Sequence, residues 1–226
     1  MPADKQFLVL RLEGPLQSWG YDSQYNRRNT GLMPTRSAIA GICCAALGLP
    51  RGSEIESQFL ASFAALQMTA IAIPRKRPKK ELPVRRLEDY HTVQNTRRAS
   101  GDVNKDCVLT RRQYLTDGVF GVLLEGNGIL MGEIAAALAD PKWGIWLGRK
   151  TCIPSAPVLA GLKDSKEDAL LLLIGEEPLE LFTRQQEVGK FAEGRDSLPD
   201  TPVSFDTKRR LFSPRRVMTT QGRERI

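Results

Sequence analysis

Two adjoining stretches decide the fold: "DGVFGVLLEG" at residues 117–126 and "GILMGEIAAALADP" at residues 128–141. The first is a short and almost continuously apolar run, which predicts a buried β-strand. In the second, apolar side chains continue for three turns until Asp140-Pro141, which predicts an amphipathic helix. The run "WGIWLG" at residues 143–148 predicts a further strand. This part of the chain is therefore expected to fold as strand, helix, strand.

The N-terminal part of the sequence has the same order of elements. "FLVLRL" at residues 7–12 predicts a strand, and "AIAGICCAALGL" at residues 38–49 predicts a helix that Thr35 or Ser37 caps. A shorter helix over 53–65 and a strand over 66–74 complete this unit. Two such units predict an α+β, ferredoxin-like (RRM-related) β-α-β-β-α-β domain, with a four-stranded antiparallel sheet and helices on one face.

The two units are separated by a polar, basic segment that is too long for an ordinary connection. We expect an RRM-like domain over residues 1–150, with this insertion at about 75–115 forming a long hairpin or staying mobile. Residues 151–226 are expected to form a smaller, β-rich C-terminal part. Within that part, "ALLLLIGEEPLELF" at residues 169–182 is interpreted as a strand followed by a short loop.

The net charge of +7 is divided into zones along the chain. Residues 75–112 hold twelve Lys and Arg against five Asp and Glu, residues 163–200 hold five against ten, and residues 206–225 hold seven against two. A surface that served solubility alone would mix the two signs more evenly. The basic zones therefore predict a polyanionic partner such as a nucleic acid.

Other classes of protein are disfavoured by the sequence. No run approaches the roughly 18 apolar residues of a membrane span, and the N-terminal apolar run is too short for a secretory signal, so we expect a cytoplasmic protein with no membrane partner. Four cysteines without a C-x-x-C pair and one histidine do not predict a zinc site, and no P-loop is present. We therefore expect neither metal nor cofactor, and cysteines that stay reduced.

Four clusters have the composition of a site for single-stranded RNA. The loop over residues 14–31 mixes Trp19, Tyr21 and Tyr25 with Arg27 and Arg28, and rings with arginines suit unpaired bases and phosphates. The start of the first predicted helix, residues 34–37, offers backbone N–H groups and a cation to a phosphate. The third cluster is residues 147–150, and the fourth is the basic insertion with its single histidine.

The insertion also suggests a ribonuclease. His91, with Tyr90 or a lysine, has the acid and base groups that metal-independent RNA cleavage requires. A lone histidine more often makes a structural hydrogen bond or contacts a base, and the sequence supplies no second histidine for an acid–base pair. A DNA-binding protein and a purely architectural protein are further alternatives.

Six ordered blocks of the sequence resemble the Cas-five family of CRISPR-associated RAMP proteins, in the form found in type I-E Cascade. These blocks are "LRLEGPLQSWG", "PTRSAIAGICCAALGL", "DYHTVQ", "TRRQYLTDGVFGVLLEG", "WLGRKTCIPSAPV" and "FSPRRV". The resemblance implies a ferredoxin-like domain with a long thumb hairpin, and a non-catalytic subunit that holds the 5′ handle of crRNA. It implies as partners crRNA, the Cascade backbone subunits, the large subunit and other Cas proteins, and target DNA through the complex.

The resemblance also implies which residues contact RNA. The wall that receives the handle is expected to include Gln17, Ser18, Trp19, Ser23, Arg28, Thr35, Arg36 and Ser37. The thumb is expected to contribute His91, Gln94, Arg97, Arg98, Arg111 and Arg112, and the loop beneath the handle Gly148, Arg149 and Lys150. Type I-C members of the family cut precursor crRNA themselves, so a metal-independent endoribonuclease is the alternative function.

Overall fold

The computed structural model describes residues 5–20, 22–24, 26–77, 80–82, 84–98, 100–189 and 196–223, and only the backbone of residues 76, 77 and 80–82. The helices are α1 (Arg36–Leu47), α2 (Glu54–Ala64), α3 (Gly128–Ala139) and α4 (Lys166–Ile174), with a 3-10 turn at Leu179–Leu181. The strands are β1 (Lys5–Glu13), β2 (Leu16–Gln17), β3 (Arg27–Arg28), β4 (Gln67–Ala72), β5 (Arg75–Arg77), β6 (Lys80–Leu82), β7 (Arg85–Val93), β8 (Val108–Thr116), β9 (Val119–Asn127), β10 (Leu159–Lys163), β11 (Arg184–Glu187), β12 (Asp196–Ser204) and β13 (Leu211–Thr220). Within these ranges, no helix combines the length and the apolar character that crossing a membrane requires.

A seven-stranded sheet organises the chain, in the order β10-β1-β9-β4-β11-β13-β12, and each pair of neighbours is antiparallel. β1 lies between β10 and β9 and is buried on both faces. Its Leu8, Leu10 and Leu12 belong to the larger core, whereas Phe7 and Val9 belong to a smaller core on the other face. The mixed α and β composition and the antiparallel sheet that the sequence predicts are therefore confirmed, but the sheet has seven strands and not four, because β11, β12 and β13 extend it beyond β4.

The larger core lies under α1, α2 and α3, which the sequence predicts at nearly the observed positions. α1 begins at the Thr35 cap, whose side chain accepts a hydrogen bond from the Ala38 N–H, and it ends at Gly48 with φ of 70°. Ile39 and Cys43 of α1 are completely buried in this core, together with Phe63 of α2 and Ile134 of α3. The packing fixes the first turn of α1 over the edge of the sheet.

On the second face of the sheet, the structure differs from one prediction. The segment interpreted as a strand at residues 169–182 instead supplies most of α4, which packs on Phe7 and Val9 through Ala169 and Leu173. A short run of leucines has neither helical nor strand periodicity, so its local signals decide the outcome. Ser165 caps the helix by accepting from the Asp168 N–H, and Gly175 follows its last turn. Helices therefore cover both faces of the sheet, not one.

The run "WGIWLG" was predicted to be a strand, and this prediction is wrong. Residues 143–148 form a loop, and β10 is the strand that follows α3. Backbone N–H groups of Lys142 and Trp143 donate to the Ala46 and Ala45 carbonyl oxygens at 3.0 and 3.2 Å, which completes the C-terminal turn of α1. Strands on both sides of residue 150 share the main sheet. The division of the chain at that residue stays a prediction.

A second sheet contains the long hairpin of β7 and β8. Nine pairs of residues face each other across it, from Arg85 and Thr116 to Val93 and Val108. The other edge of β8 pairs with β2 in antiparallel fashion and with β3 in parallel fashion. The base of the hairpin is thereby attached to the loop that leads from β1 to α1.

Candidate nucleic-acid interface

A cleft of about 770 Å³ runs along α1, and we refer to it as the α1 cleft. One wall consists of α1, with Ser37 and Gly41 in the lining. A Cβ atom built at Gly41 would meet nothing within 4 Å, so the helix leaves open space there. The other walls come from the loop before α1, the loop after α3, the start of α2 and the turn between β12 and β13.

Eight of the seventeen residues predicted to bind RNA line this cleft: Ser18, Ser23, Arg28, Thr35, Ser37, Gly148, Arg149 and Lys150. They come from three separate stretches of the sequence. The structure brings them together because Ser18 donates its N–H to the Leu147 carbonyl oxygen at 3.0 Å, while β3 places Arg28 beside β8. This end of the cleft is the predicted wall together with the predicted loop.

Arg149 holds this end of the cleft in shape. Its guanidinium donates to the carbonyl oxygens of Gln113 and Arg28, at 2.9 and 2.7 Å, and its Cζ lies 4.7 Å from the centre of the Tyr114 ring. Carbonyl oxygens do not neutralise a cation, so the charge of Arg149 remains in the cleft. The same side chain therefore joins three segments and supplies positive potential.

Gly148 lies where two loops of the chain come close together. With φ of 98°, a Cβ atom at this position would overlap the carbonyl oxygen of Ser18. The glycine therefore permits a close approach of two loops of the same chain.

Arg36 was predicted to contact RNA, but its side chain faces the interior and not the cleft. It is 2% exposed, forms an ion pair with Glu187, and donates to the carbonyl oxygens of Phe63 and Leu66, each at 2.7 Å. Its own N–H donates to Asp200 at 2.8 Å. A carboxylate of the chain thus takes the place at the start of α1 where a phosphate was expected.

Gln17 and Trp19 were also predicted to contact RNA, but both are completely buried. The Gln17 amide donates to the carbonyl oxygens of Leu12 and Gly118, and Trp19 packs edge-on against Phe120 with ring centres 6.4 Å apart. Both lie buried behind the wall, and neither lines the cleft. The predicted aromatic residues Tyr21 and Tyr25 lie outside the described residues.

The remaining six predicted residues lie on the hairpin. Arg111 and Arg112 of β8, midway along the hairpin, are in register with Arg27 and Arg28 of β3, which places one pair of arginines on each face of this sheet. His91, near the end of β7, and Gln94, Arg97 and Arg98, in the loop beyond it, lie farther along the hairpin. This loop is ordered by a bridge between Arg97 and Val103 and by a hydrogen bond from the Arg98 side chain to Asn104, 2.9 Å long.

The two residues of the ribonuclease hypothesis do not share a face. Tyr90 and His91 are consecutive in β7, and consecutive side chains of a strand project to opposite faces. Tyr90 is opposite Arg111 in the hairpin and is 62% exposed, whereas His91 is opposite Thr110. The His91 Nδ1 atom lies 3.5 Å from a carboxylate oxygen of Asp89. An acid–base pair of these two residues would have to act across the thickness of the hairpin.

The sequence reasoning missed the other end of the cleft. Its lining includes Arg51, Glu56, Trp143, Trp146, Phe205, Arg210 and Phe212. The two tryptophans are 47% and 38% exposed, which is unusual for side chains of this size. The apolar residues of "WGIWLG" resemble those of a strand. Because this segment was interpreted as a strand, its two tryptophans were not predicted to line a site. The basic C-terminal zone did point to Arg210, but only as a charge.

The described residues contain no group of three or more His, Cys, Asp and Glu that could hold a metal ion. The four cysteines are free thiols, and only Cys107 among them is exposed. Burial raises the pKa of Cys43 and Cys152, and burial together with the nearby Glu56 carboxylate raises the pKa of Cys44 to about 12. These three thiols stay protonated at neutral pH, so they are poor nucleophiles.

Comparison with known families identifies the class of protein to which this fold and cleft belong. The family model described as "CRISPR-associated protein (Cas_Cas5)" matches residues 7–218. The chain belongs to this family.

Individual relatives agree with this assignment. The chain is 28% identical over 215 residues to the CRISPR system Cascade subunit CasD of Escherichia coli strain K12, which covers 90% of this chain and 94% of CasD. It is also similar to a chain in a solved CRISPR RNA-guided surveillance complex, with 30% identity, a TM-score of 0.74, and coverage of 96% of this chain and 90% of that chain. A crystal structure of a Cas protein matches with 28% identity, a TM-score of 0.65 and coverage of 94% and 93%.

Proposed function

We propose that this protein is a non-catalytic crRNA-binding subunit of a type I CRISPR surveillance complex, of the I-E kind, which holds the 5′ handle of the crRNA in the α1 cleft. The observation that carries the proposal is the composition of this cleft. Its lining contains five cationic side chains, Arg28, Arg51, Arg149, Lys150 and Arg210, together with two exposed tryptophans. Single-stranded RNA needs cations for phosphates and flat rings for bases. The similarity to a chain of an RNA-guided surveillance complex supports the same function.

The proposal includes a role for the hairpin of β7 and β8 as a thumb on a ferredoxin-like, RRM-related domain. The strand order β10-β1-β9-β4, with helices between β1 and β4 and between β9 and β10, supports this classification. The hairpin carries Arg111 and Arg112 midway along β8 and Arg97 and Arg98 in its loop. We propose that it contacts the crRNA and the adjacent backbone subunit, and that the large subunit and target DNA are reached through the assembled complex.

Binding to RNA tests the proposal. The purified full chain is titrated with a labelled single-stranded handle RNA at several salt concentrations, with single-stranded DNA as competitor. Replacing Arg97 and Arg98 by Glu is expected to weaken binding and to reduce its salt dependence, because fewer counterions are released. Replacing Lys163 and Lys166 by Glu makes the same change of charge on β10 and α4 and serves as the control. Equal affinity for DNA, or an unchanged salt slope, would contradict the proposal.

The alternative function is a metal-independent endoribonuclease. The same purified chain is incubated with precursor crRNA and a chelator, and the products are resolved on a denaturing gel. We expect intact RNA, and we expect His91→Ala to leave assembly of the complex mostly intact. A product that ends in a 2′,3′-cyclic phosphate and disappears in His91→Ala would replace the proposed function by catalysis.

A further inference from the structure

The sheet formed by β3, β7 and β8 has two faces, and each face carries a pair of arginines in register. Arg28 lies beside Arg112, and Arg27 lies beside Arg111. Because consecutive side chains of a strand project to opposite faces, the two pairs are on opposite sides of the sheet. Arg28 lines the α1 cleft, whereas Arg27 does not. We refer to the side with Arg28 as the inner face and to the side with Arg27 as the outer face.

The outer face is the more exposed of the two. Tyr90, which is opposite Arg111, is exposed, and so is Leu109, two residues before Arg111 on the same strand. On the inner face, Thr110 is buried, and its hydroxyl oxygen accepts a hydrogen bond from the Arg112 side chain at 3.0 Å. The outer face therefore presents a ring, a leucine and two arginines to its surroundings, which is the composition of a binding surface.

The charges of the outer face are not balanced within the chain. Like charges directly opposite each other on neighbouring strands destabilise a sheet. Glu88, on the same face, places its Oε1 atom 3.7 Å from an Arg111 nitrogen, whereas the Arg27 side chain forms no ion pair with the described residues. An anionic group between the two guanidinium groups would remove their repulsion. The outer face therefore fits a ligand that carries negative charge.

Two observations favour a protein over a nucleic acid as this ligand. RNA in the α1 cleft would lie on the inner side, with the sheet between it and Arg27. Glu88 would repel a second chain of phosphates, whereas a protein surface combines carboxylates with apolar side chains. Tyrosine and arginine are also the residues that most often dominate binding between proteins.

We propose that the outer face of the hairpin binds a protein partner that presents a carboxylate to Arg27 and Arg111 and an apolar side chain to Tyr90 and Leu109. The inference rests on the proposed function, because it divides the hairpin between RNA on its inner face and protein on its outer face. Arg111, which the sequence assigned to RNA, is thereby assigned to the protein partner. Arg112 keeps its assignment to RNA.

Two matched double substitutions test the two faces. Arg27→Glu with Arg111→Glu reverses the outer pair, and Arg28→Glu with Arg112→Glu makes the same change of charge on the inner pair. In the purified complex with crRNA, reversal of the outer pair is expected to lower retention of the chain roughly tenfold. In a titration of the isolated full chain with labelled single-stranded RNA, reversal of the inner pair is expected to weaken binding roughly tenfold, and reversal of the outer pair much less. Thermal unfolding midpoints verify that both variants are folded.

A photoreactive side chain identifies what lies against each face. Tyr90→p-azidophenylalanine places the probe on the outer face, and His91→p-azidophenylalanine places it on the inner face. In the purified complex, we expect position 90 to crosslink to a protein subunit and position 91 to crRNA, as read out by nuclease digestion and mass spectrometry. Replacing the Asp or Glu at the crosslinked site of that subunit by Lys is expected to restore retention of the chain with the reversed outer pair.

The outcomes separate this inference from the proposed function. If position 90 crosslinks to RNA, to DNA or to a second copy of this chain, the inference is wrong. Normal retention of the chain with the reversed outer pair, or failure of the lysine exchange to restore retention, also contradicts it. In each of these cases the proposed function stands as long as reversal of the inner pair weakens RNA binding. If the wild-type chain binds neither RNA nor the complex, both are wrong.

Discussion

At the scale of single residues, burial separates the arginines that hold the fold together from those that face the α1 cleft. Arg36 and Arg215 are 2% and 9% exposed and are paired with carboxylates, whereas Arg28 is exposed and lines the α1 cleft. Arg149 combines both roles. The sequence does not distinguish these roles, because whether an arginine is buried or exposed depends on residues that are distant in the sequence and close in the fold.

Arg149→Lys tests the combined role. Lysine keeps the charge but cannot span the Gln113 and Arg28 carbonyl oxygens or stack flat on Tyr114. We expect a loss of about 2 kcal/mol in the free energy of unfolding, measured by denaturant titration, together with weaker RNA binding.

Lys150→Gln is the matched control for this prediction. It removes a charge from the same loop, and the Lys150 side chain forms no hydrogen bond or ion pair with the described residues. Its stability is expected to equal that of the wild-type chain, while its RNA affinity and salt slope fall. Equal stability of Arg149→Lys and Lys150→Gln would show that Arg149 contributes only its charge.

The thiols give a prediction with a defined pH dependence. Folding raises the pKa of Cys43, Cys44 and Cys152 above the ordinary value of 9.0, so the unfolded chain loses these protons first as the pH rises. The free energy of unfolding is therefore expected to fall from about pH 9 upward. Cys43→Ala should flatten this decline, whereas Cys107→Ser should not change it. At neutral pH a thiol reagent should modify Cys107 alone in the native chain; rapid modification of all four cysteines would contradict this account.

At the scale of elements, α1 is the wall on which the candidate site depends. Gly41 is a helical glycine that faces open space in the cleft, and Gly132 of α3 faces open space elsewhere. Gly41→Phe is expected to fill the cleft and to weaken RNA binding at least tenfold without unfolding the protein, because glycine is itself unfavourable in a helix. The measurement is RNA affinity together with the thermal unfolding midpoint.

Gly132→Phe makes the same change in α3 and is expected to leave RNA binding unchanged. Gly41→Ala separates helix propensity from occlusion, since a methyl group fills little of the cleft. It is expected to stabilise the chain by up to about 1 kcal/mol with little effect on affinity. Normal binding by Gly41→Phe would place the RNA outside the cleft.

The elements also indicate how far the sequence could be interpreted. β1, α1, α2, β4, β9 and α3 were predictable because each has a clear apolar pattern and a cap or turn signal at its ends. α4 was not, because "ALLLLI" is equally apolar on all sides and becomes a helix through Ser165 and Gly175. The loop at residues 143–148 was not, because two of its backbone hydrogen bonds, from the Trp143 N–H to Ala45 and from the Ser18 N–H to Leu147, join it to segments far away in the sequence. Half of the cleft was consequently missed.

At the scale of the whole molecule, buried charges connect elements from the two ends of the chain. Arg36 of α1 and Arg215 of β13 both contact Glu187 of β11, and Arg215 also binds Asp200 of β12 through two hydrogen bonds of 2.6 and 3.0 Å. Glu187 and Asp200 belong to the acidic zone that the sequence left unexplained. Part of that zone therefore neutralises arginines inside the protein.

Breaking this network should be costly. Arg36→Met leaves Glu187 and the carbonyl oxygens of Phe63 and Leu66 without the Arg36 guanidinium in the interior, and we expect a loss of about 3 to 5 kcal/mol in the free energy of unfolding. Arg75→Met removes one partner of an exposed ion pair with Asp117, 2.8 Å long, and should cost less than about 1 kcal/mol. Denaturant titration of both variants measures the difference. Equal and small losses would mean that the buried network does not hold the two parts of the chain together.

We propose that the α1 cleft and the hairpin together bind an unpaired RNA end without cutting it. The most direct measurement is a photo-crosslinking map of a handle RNA on the full chain in its purified complex, read out by mass spectrometry. We expect crosslinked peptides from residues 18–28, 94–112 and 143–150, and full-length RNA in the same sample. Crosslinks confined to α4 and β10, on the opposite side of the sheet, or a cleaved RNA, would contradict the account.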